Sequence, residues 1–198
     1  MEDAKSQLRT RHLSNRTRLR AQLERKARLD DALVDVTVAC LEHYGATHQS
    51  IAAYTPLASE PGPADFPARL APYASVVWLP LALPGGELAW AAATDASDAM
   101  HTGALGIREP DGARFNSNVL RSCSLVIVPA LGVDTNGMRL GKGMGYYDRA
   151  LSGLPVPVAA VVFDEEFVAS IPHEAHDVPV DAVITPSGFR PLEGTVRR

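Results

Sequence analysis

The chain has 198 residues, with 19 Lys and Arg against 23 Asp and Glu, so its formal net charge is −4. That balance excludes a strongly basic nucleic-acid coat and an acidic disordered tail protein. With 46% hydrophobic and 21% charged residues, the composition is globular, and a chain this long buries enough surface to fold without staples.

Charge is uneven along the chain. Residues 1–30 carry nine Lys and Arg against four acids, a net of +5, so the remaining 168 residues carry −9. No Gly or Pro precedes Gly45, and the segment is rich in helix formers. This predicts an N-terminal helix, then a second helix capped by Asp30 and ending near Tyr44 before Gly45. On pattern alone the basic residues form a solvated face. Beyond Gly45, short apolar runs alternate with turn residues. Strands are expected at 49–54, 74–79, 87–92, 124–128, 156–163 and 181–185, and a helix at 146–151. The runs at 125–128 and 158–162 are continuously apolar, as in strands covered on both faces. The expected fold class is therefore α/β: one three-layer αβα domain over residues 1–198, with a mainly parallel, Rossmann-like sheet. Residues 1–45 form its N-terminal helices, 111–118 a polar loop and 186–198 a loose tail.

Cys40 and Cys123 make no C-x-x-C pair and no disulfide framework, which suits inert buried thiols in a reducing cytoplasm. The N-terminus lacks a signal peptide's apolar region, and no apolar run approaches bilayer length. A cytoplasmic protein without membrane or nucleic-acid partners is expected. His173 and His176 are spaced i, i+3 between Pro172 and Pro179, which is not the H-E-x-x-H zinc pattern.

The chemistry concentrates between Leu125 and Leu151. A buried-type strand ends at Pro129, a turn follows at Asp134–Gly137, and then comes Arg139-Leu-Gly-Lys-Gly-Met-Gly-Tyr-Tyr-Asp148. Gly141, Gly143 and Gly145 let the backbone approach an anion and aim N–H groups at it. Arg139 and Lys142 add positive charge, and Asp148 follows where a carboxylate could hold Mg²⁺ against a phosphate. The spacing matches neither a Walker A loop nor G-x-G-x-x-G. By itself it leaves a phosphate site and an ordinary glycine-rich turn both open.

The full string resembles the signature of the 5-formyltetrahydrofolate cyclo-ligase family, R-L-G-x-G-x-G-Y-Y-D, matched by Arg139, Leu140, Gly141, Gly143, Gly145, Tyr146, Tyr147 and Asp148. Lys5-Ser-Gln-Leu8-Arg9 is similar to the family's N-terminal K-x-x-L-R. Glu60 stands where the family places a substrate-binding glutamate, and His176-Asp177-Val178 followed by Asp181 and Val183 is similar to its H-D-V-x-x-D-x-V. Met144 departs from the Lys or Gly often found between the last two glycines.

The resemblance implies ATP binding by Lys5, Arg9 and residues 139–147, including Leu140, Lys142, Met144, Tyr146 and Tyr147. It implies folate contacts from Glu60 and from Lys142, Gly143, Met144, Gly145 and Tyr146, and Mg²⁺ held by Asp148 and Asp177. The implied reaction is ATP-driven closure of 5-formyltetrahydrofolate to 5,10-methenyltetrahydrofolate, with ADP and phosphate released through an imino-phosphate, by a monomer. Trp78 and Trp90 read as core residues, with pterin stacking a second role for Trp90. Two other classes stay open on the residues: a sugar-phosphate or CoA-ester enzyme on a similar scaffold, and a nucleotide-binding regulator.

Overall fold

The computed structural model describes residues 2–93, 100–102, 108–110, 112–174 and 177–192. Two helices come first, α1 (Glu2–Arg20) and α2 (Leu23–His43), followed by β1 (Ser50–Ala52) and α3 (Phe66–Leu70). The middle of the chain gives β2 (Val76–Ala82), β3 (Leu88–Ala92), β4 (Met100–Thr102), β5 (Arg108–Pro110), β6 (Leu125–Pro129), β7 (Gly132–Asp134) and β8 (Arg139–Leu140). Then follow α4 (Tyr146–Leu151), β9 (Val158–Val161), β10 (Phe167–Val168), β11 (Ala182–Thr185) and β12 (Gly188–Pro191).

Seven strands form the central sheet in the order β12-β11-β9-β6-β1-β2-β3. The five inner strands are parallel, and β3 and β12 close the edges antiparallel. The expected α/β architecture is thus present, and each of the six strand runs read from the sequence contains a strand of this sheet. The continuous apolar runs are split between two cores by the strand's two-residue period. Leu125 and Ile127 face Leu33 and Leu41 of α2, whereas Val126 and Val128 face Leu151 of α4. Trp90 belongs to this second core, fully buried, and donates from Nε1 to Ser117 Oγ at 3.2 Å.

Two expectations are corrected. The first helix breaks at Ala21–Gln22, so Asp30 lies inside α2 and caps nothing. Its buried carboxylate instead accepts from Lys26 Nζ, one turn back, and from the Gly62 amide at 3.1 Å. The tail at 186–198 begins with a strand, because β12 folds back on β11 and pairs Val183 with Arg190; residues 193–198 lie outside the described residues. In the expected loop at 111–118, of which residue 111 lies outside the described residues, Phe115 makes an isolated bridge to Trp90. Among the described residues no helix is long and apolar enough to cross a membrane.

Candidate active site

Chain order reverses between β1 and β6. From β1 the chain adds β2 and β3 on one side, and from β6 it adds β9, β11 and β12 on the other. Parallel sheets open a crevice at the carboxyl ends of the strands where the order reverses. A cavity of about 550 Å³ lies there, within the range of small-ligand sites. Its walls are Tyr54, Thr55 and Glu60 beyond β1, Pro129 to Leu131 at the end of β6, Pro80, Ala82 and Leu88 of the β2–β3 hairpin, and residues 139–148.

The stripe of α1 at Lys5, Arg9, His12, Arg16 and Leu19 turns inward, and Lys5, Arg9 and Arg16 line the cavity. This corrects the reading of that helix as a solvated face. Arg16, only 2% exposed, is a cavity residue the sequence reading passed over. Its Nε and Nη2 grip the Glu166 carboxylate at 2.6 and 2.7 Å, and Nη2 also donates to Ala130 O at the end of β6. The signal was available: Lys5, Arg9, His12 and Arg16 recur at intervals of three and four residues, one helical face.

Glu60 stands on a Pro-rich loop made rigid by three contacts. Tyr54 Oη donates to Pro61 O at 2.6 Å, the Gly62 amide donates to Asp30 Oδ1, and the Leu57 amide donates to Glu60 Oε2 at 2.9 Å. Gly62 has φ +102°, and a Cβ there would press on Pro56 at 3.1 Å, so the bend requires glycine. Burial, with the Glu60 charge nearby, pushes the Tyr54 phenol well up, so it remains a donor at neutral pH.

On the opposite wall, β8 delivers Arg139 and the glycine loop runs into α4. Gly143 and Gly145 have φ of +96° and +66°. Because α4 is six residues long, its dipole adds little, and the loop's own amides and the surrounding cations supply the positive field. Arg9 Nε donates to Gly141 O at 3.1 Å, joining α1 to this loop. Tyr146 and Tyr147, in the first turn of α4, both line the cavity, as the resemblance implied. Burial pushes the Tyr147 phenol up, Glu60 adds to this, and Arg139, 5.7 Å from its ring centroid, opposes it. Met144 at the loop tip is 62% exposed.

Six charged residues singled out in the sequence form three ion pairs around this one cavity. Lys5 Nζ meets Asp177 Oδ2 at 2.8 Å, Arg139 Nη2 meets Asp148 Oδ1 at 2.6 Å, and Lys142 Nζ meets Glu60 Oε1 at 2.5 Å. Arg139 Nε is buried without a hydrogen-bond partner, an unsatisfied donor that an anion would satisfy. Asp148 and Asp177 therefore face the same space but sit on cations. Among the described residues no three His, Cys, Asp or Glu side chains converge as a metal cage. Mg²⁺ accompanying a nucleotide needs only one or two carboxylates plus phosphate oxygens and water, so the donor set suits that ion. His176 lies outside the described residues. Trp90 is absent from the cavity wall, which removes it as a stacking surface there.

A crevice at a sheet reversal, walled by a glycine loop and paired charges, defines a small-molecule enzyme of the α/β class. Residues 1–186 match the 5-formyltetrahydrofolate cyclo-ligase family, and the chain belongs to it. It is 32% identical to the 5-formyltetrahydrofolate cyclo-ligase of Mycolicibacterium smegmatis over 190 residues, covering 92% of this chain and 94% of that one. Its structure is similar to the Aquifex aeolicus 5,10-methenyltetrahydrofolate synthetase, with a TM-score of 0.78 and 27% identity over 96% of this chain and 93% of that one. The Mycoplasma pneumoniae 5,10-methenyltetrahydrofolate synthetase shares the fold, with a TM-score of 0.68 and 23% identity over 91% and 97% of the two chains. Membership makes the protein a ligase of folate metabolism.

Proposed function

We propose that this chain uses MgATP to close 5-formyltetrahydrofolate to 5,10-methenyltetrahydrofolate. The supporting observation is the set of three ion pairs around one cavity. A bare anion would satisfy Lys5 and Arg139 but strand Asp177 and Asp148. A magnesium–nucleotide brings both signs of charge, so both halves of the Lys5–Asp177 and Arg139–Asp148 pairs find new partners. Separating charges without replacement in a poorly solvated site is costly, so the site favours the complex over either ion alone.

In this reading Lys5, Arg9 and Arg139 hold the phosphates while the amides of residues 141–145 close around them. Asp148 and Asp177 would hold Mg²⁺, which supplies charge neutralisation at the transferring phosphoryl group. Glu60 exchanges Lys142 for the N–H donors of the pterin and orients the formyl group towards the loop. The N5 formyl oxygen attacks the γ-phosphorus and ADP leaves. N10 then attacks the activated formyl carbon and loses its proton, and phosphate departs carrying the formyl oxygen. Positioning and charge neutralisation carry such a transfer, without a protein nucleophile. Tyr54 and Tyr147 remain protonated and serve only as donors.

The test follows the oxygen. With ¹⁸O in the formyl group, the label is expected in inorganic phosphate at one atom per turnover. Label left in formate or water contradicts the imino-phosphate route.

A further inference from the structure

Arg149 of α4 lies on the surface, outside the ion pairs just described. Its guanidinium spans two separate loops. Nε donates to Gly86 O at 2.9 Å, in the turn between β2 and β3, and Nη2 donates to the same oxygen. Nη2 also donates to Met144 O at 2.9 Å, at the tip of the glycine loop. The cation lies 5.8 Å from the centroid of the Tyr146 ring, a cavity residue. Both loops present a glycine with positive φ beside this side chain: Gly86 and Gly145 have φ of +85° and +66°. A Cβ on Gly86 would collide with Nη2, and one on Gly145 would lie 2.8 Å from Nη1.

We infer that Arg149 is a positioning residue that fixes the glycine loop against the β2–β3 turn. One wall of the cavity is the loop, and the facing apolar wall is Pro80, Ala82 and Leu88 on that hairpin. Among the described residues Arg149 supplies the side-chain hydrogen bonds that join their tips, so it braces the mouth without touching the reacting atoms. A guanidinium suits the task because its planar fork reaches two carbonyls at once, which a point-like ammonium does not. The effect on nucleotide rests on the function proposed above, whereas the clamp does not.

The experiment compares amide hydrogen exchange, denaturation midpoint and MgATP kinetics for the intact wild type, R149A and R149K. In R149A, peptides covering 83–88 and 142–147 should exchange about tenfold faster or more, as loss of two or three hydrogen bonds implies. The denaturation midpoint should fall by no more than those lost hydrogen bonds imply, KM for MgATP should rise about tenfold by the same reasoning, and kcat should change by less than about threefold. R149K should restore part of the loss. G86A should cost less in the R149A background than in wild type, because the collision is gone while the backbone strain persists. Unchanged exchange in both segments overturns the inference, and so does faster exchange spread over the whole chain with a lowered midpoint. A wild type that binds no MgATP would defeat the proposed function while the exchange data still decide the clamp.

Discussion

Glu60 and Lys142 face each other across the cavity at 2.5 Å, and they meet only because two distant loops converge. Glu60→Ala should weaken 5-formyltetrahydrofolate by about 10- to 100-fold, the range for losing a hydrogen bond to a charged group. ATP affinity should change by less than about threefold, and isothermal titration with each ligand separates the two effects. Equal loss of both would remove Glu60 from folate recognition. The paired carboxylates make a second claim at this scale. ATP titrated with Mg²⁺ should bind about tenfold or more tightly than ATP with EDTA, because the cations alone leave Asp148 and Asp177 facing the phosphates. Equal affinities would count against that exchange of partners. The residue types at this site were legible in sequence, since Arg139 to Asp148 form one unbroken string. Their pairing was not, because separations such as the 172 residues between Lys5 and Asp177 carry no local signal.

Helix α1 illustrates how an element was half legible. Its helicity follows from composition, yet its inward stripe is polar, and hydrophobic periodicity gives no purchase on such a face. Arg16 and Glu166 replace the usual apolar contact with a buried ion pair. Removing one partner leaves a buried charge, so Arg16→Ala should lower stability by about 3–5 kcal/mol in urea denaturation. A loss under about 1 kcal/mol would mean the helix docks by other contacts. His12, on the same stripe, is 1% exposed and its Nδ1 has no hydrogen-bond partner. Burial, reinforced by Arg11 and Arg16, holds its pKa below the usual 6.5. The unfolded chain therefore binds the proton more readily than the folded one. Neutral His12 favours the fold above about pH 6.5, and that contribution falls away as pH drops towards the folded pKa. The melting temperature should decline across this window, and His12→Gln should flatten the decline. An unchanged pH profile in that variant would assign the effect elsewhere. The strands were more legible than the helices' boundaries, because their apolar runs are continuous and bounded by turns. The short β7, β8 and β12 escaped notice because Gly132, Asp134, Arg139, Gly188, Arg190 and Pro191 interrupt any apolar run there.

At the scale of the molecule, the sheet brings the ends of β1 and β6 together, and every charged residue nominated from the sequence lies around the crevice they leave. The fold class could be read from the order of runs, but the crevice depends on strand order, which only the folded chain reveals. The central claim is that this crevice couples ATP to folate ring closure. Its most direct test is a spectrophotometric assay of the purified protein with 5-formyltetrahydrofolate, following the near-ultraviolet band of the methenyl product. A rise that requires both ATP and Mg²⁺, with one phosphate released per product formed, is the predicted result. Product formed without ATP, or no product from protein that binds both ligands, would contradict it.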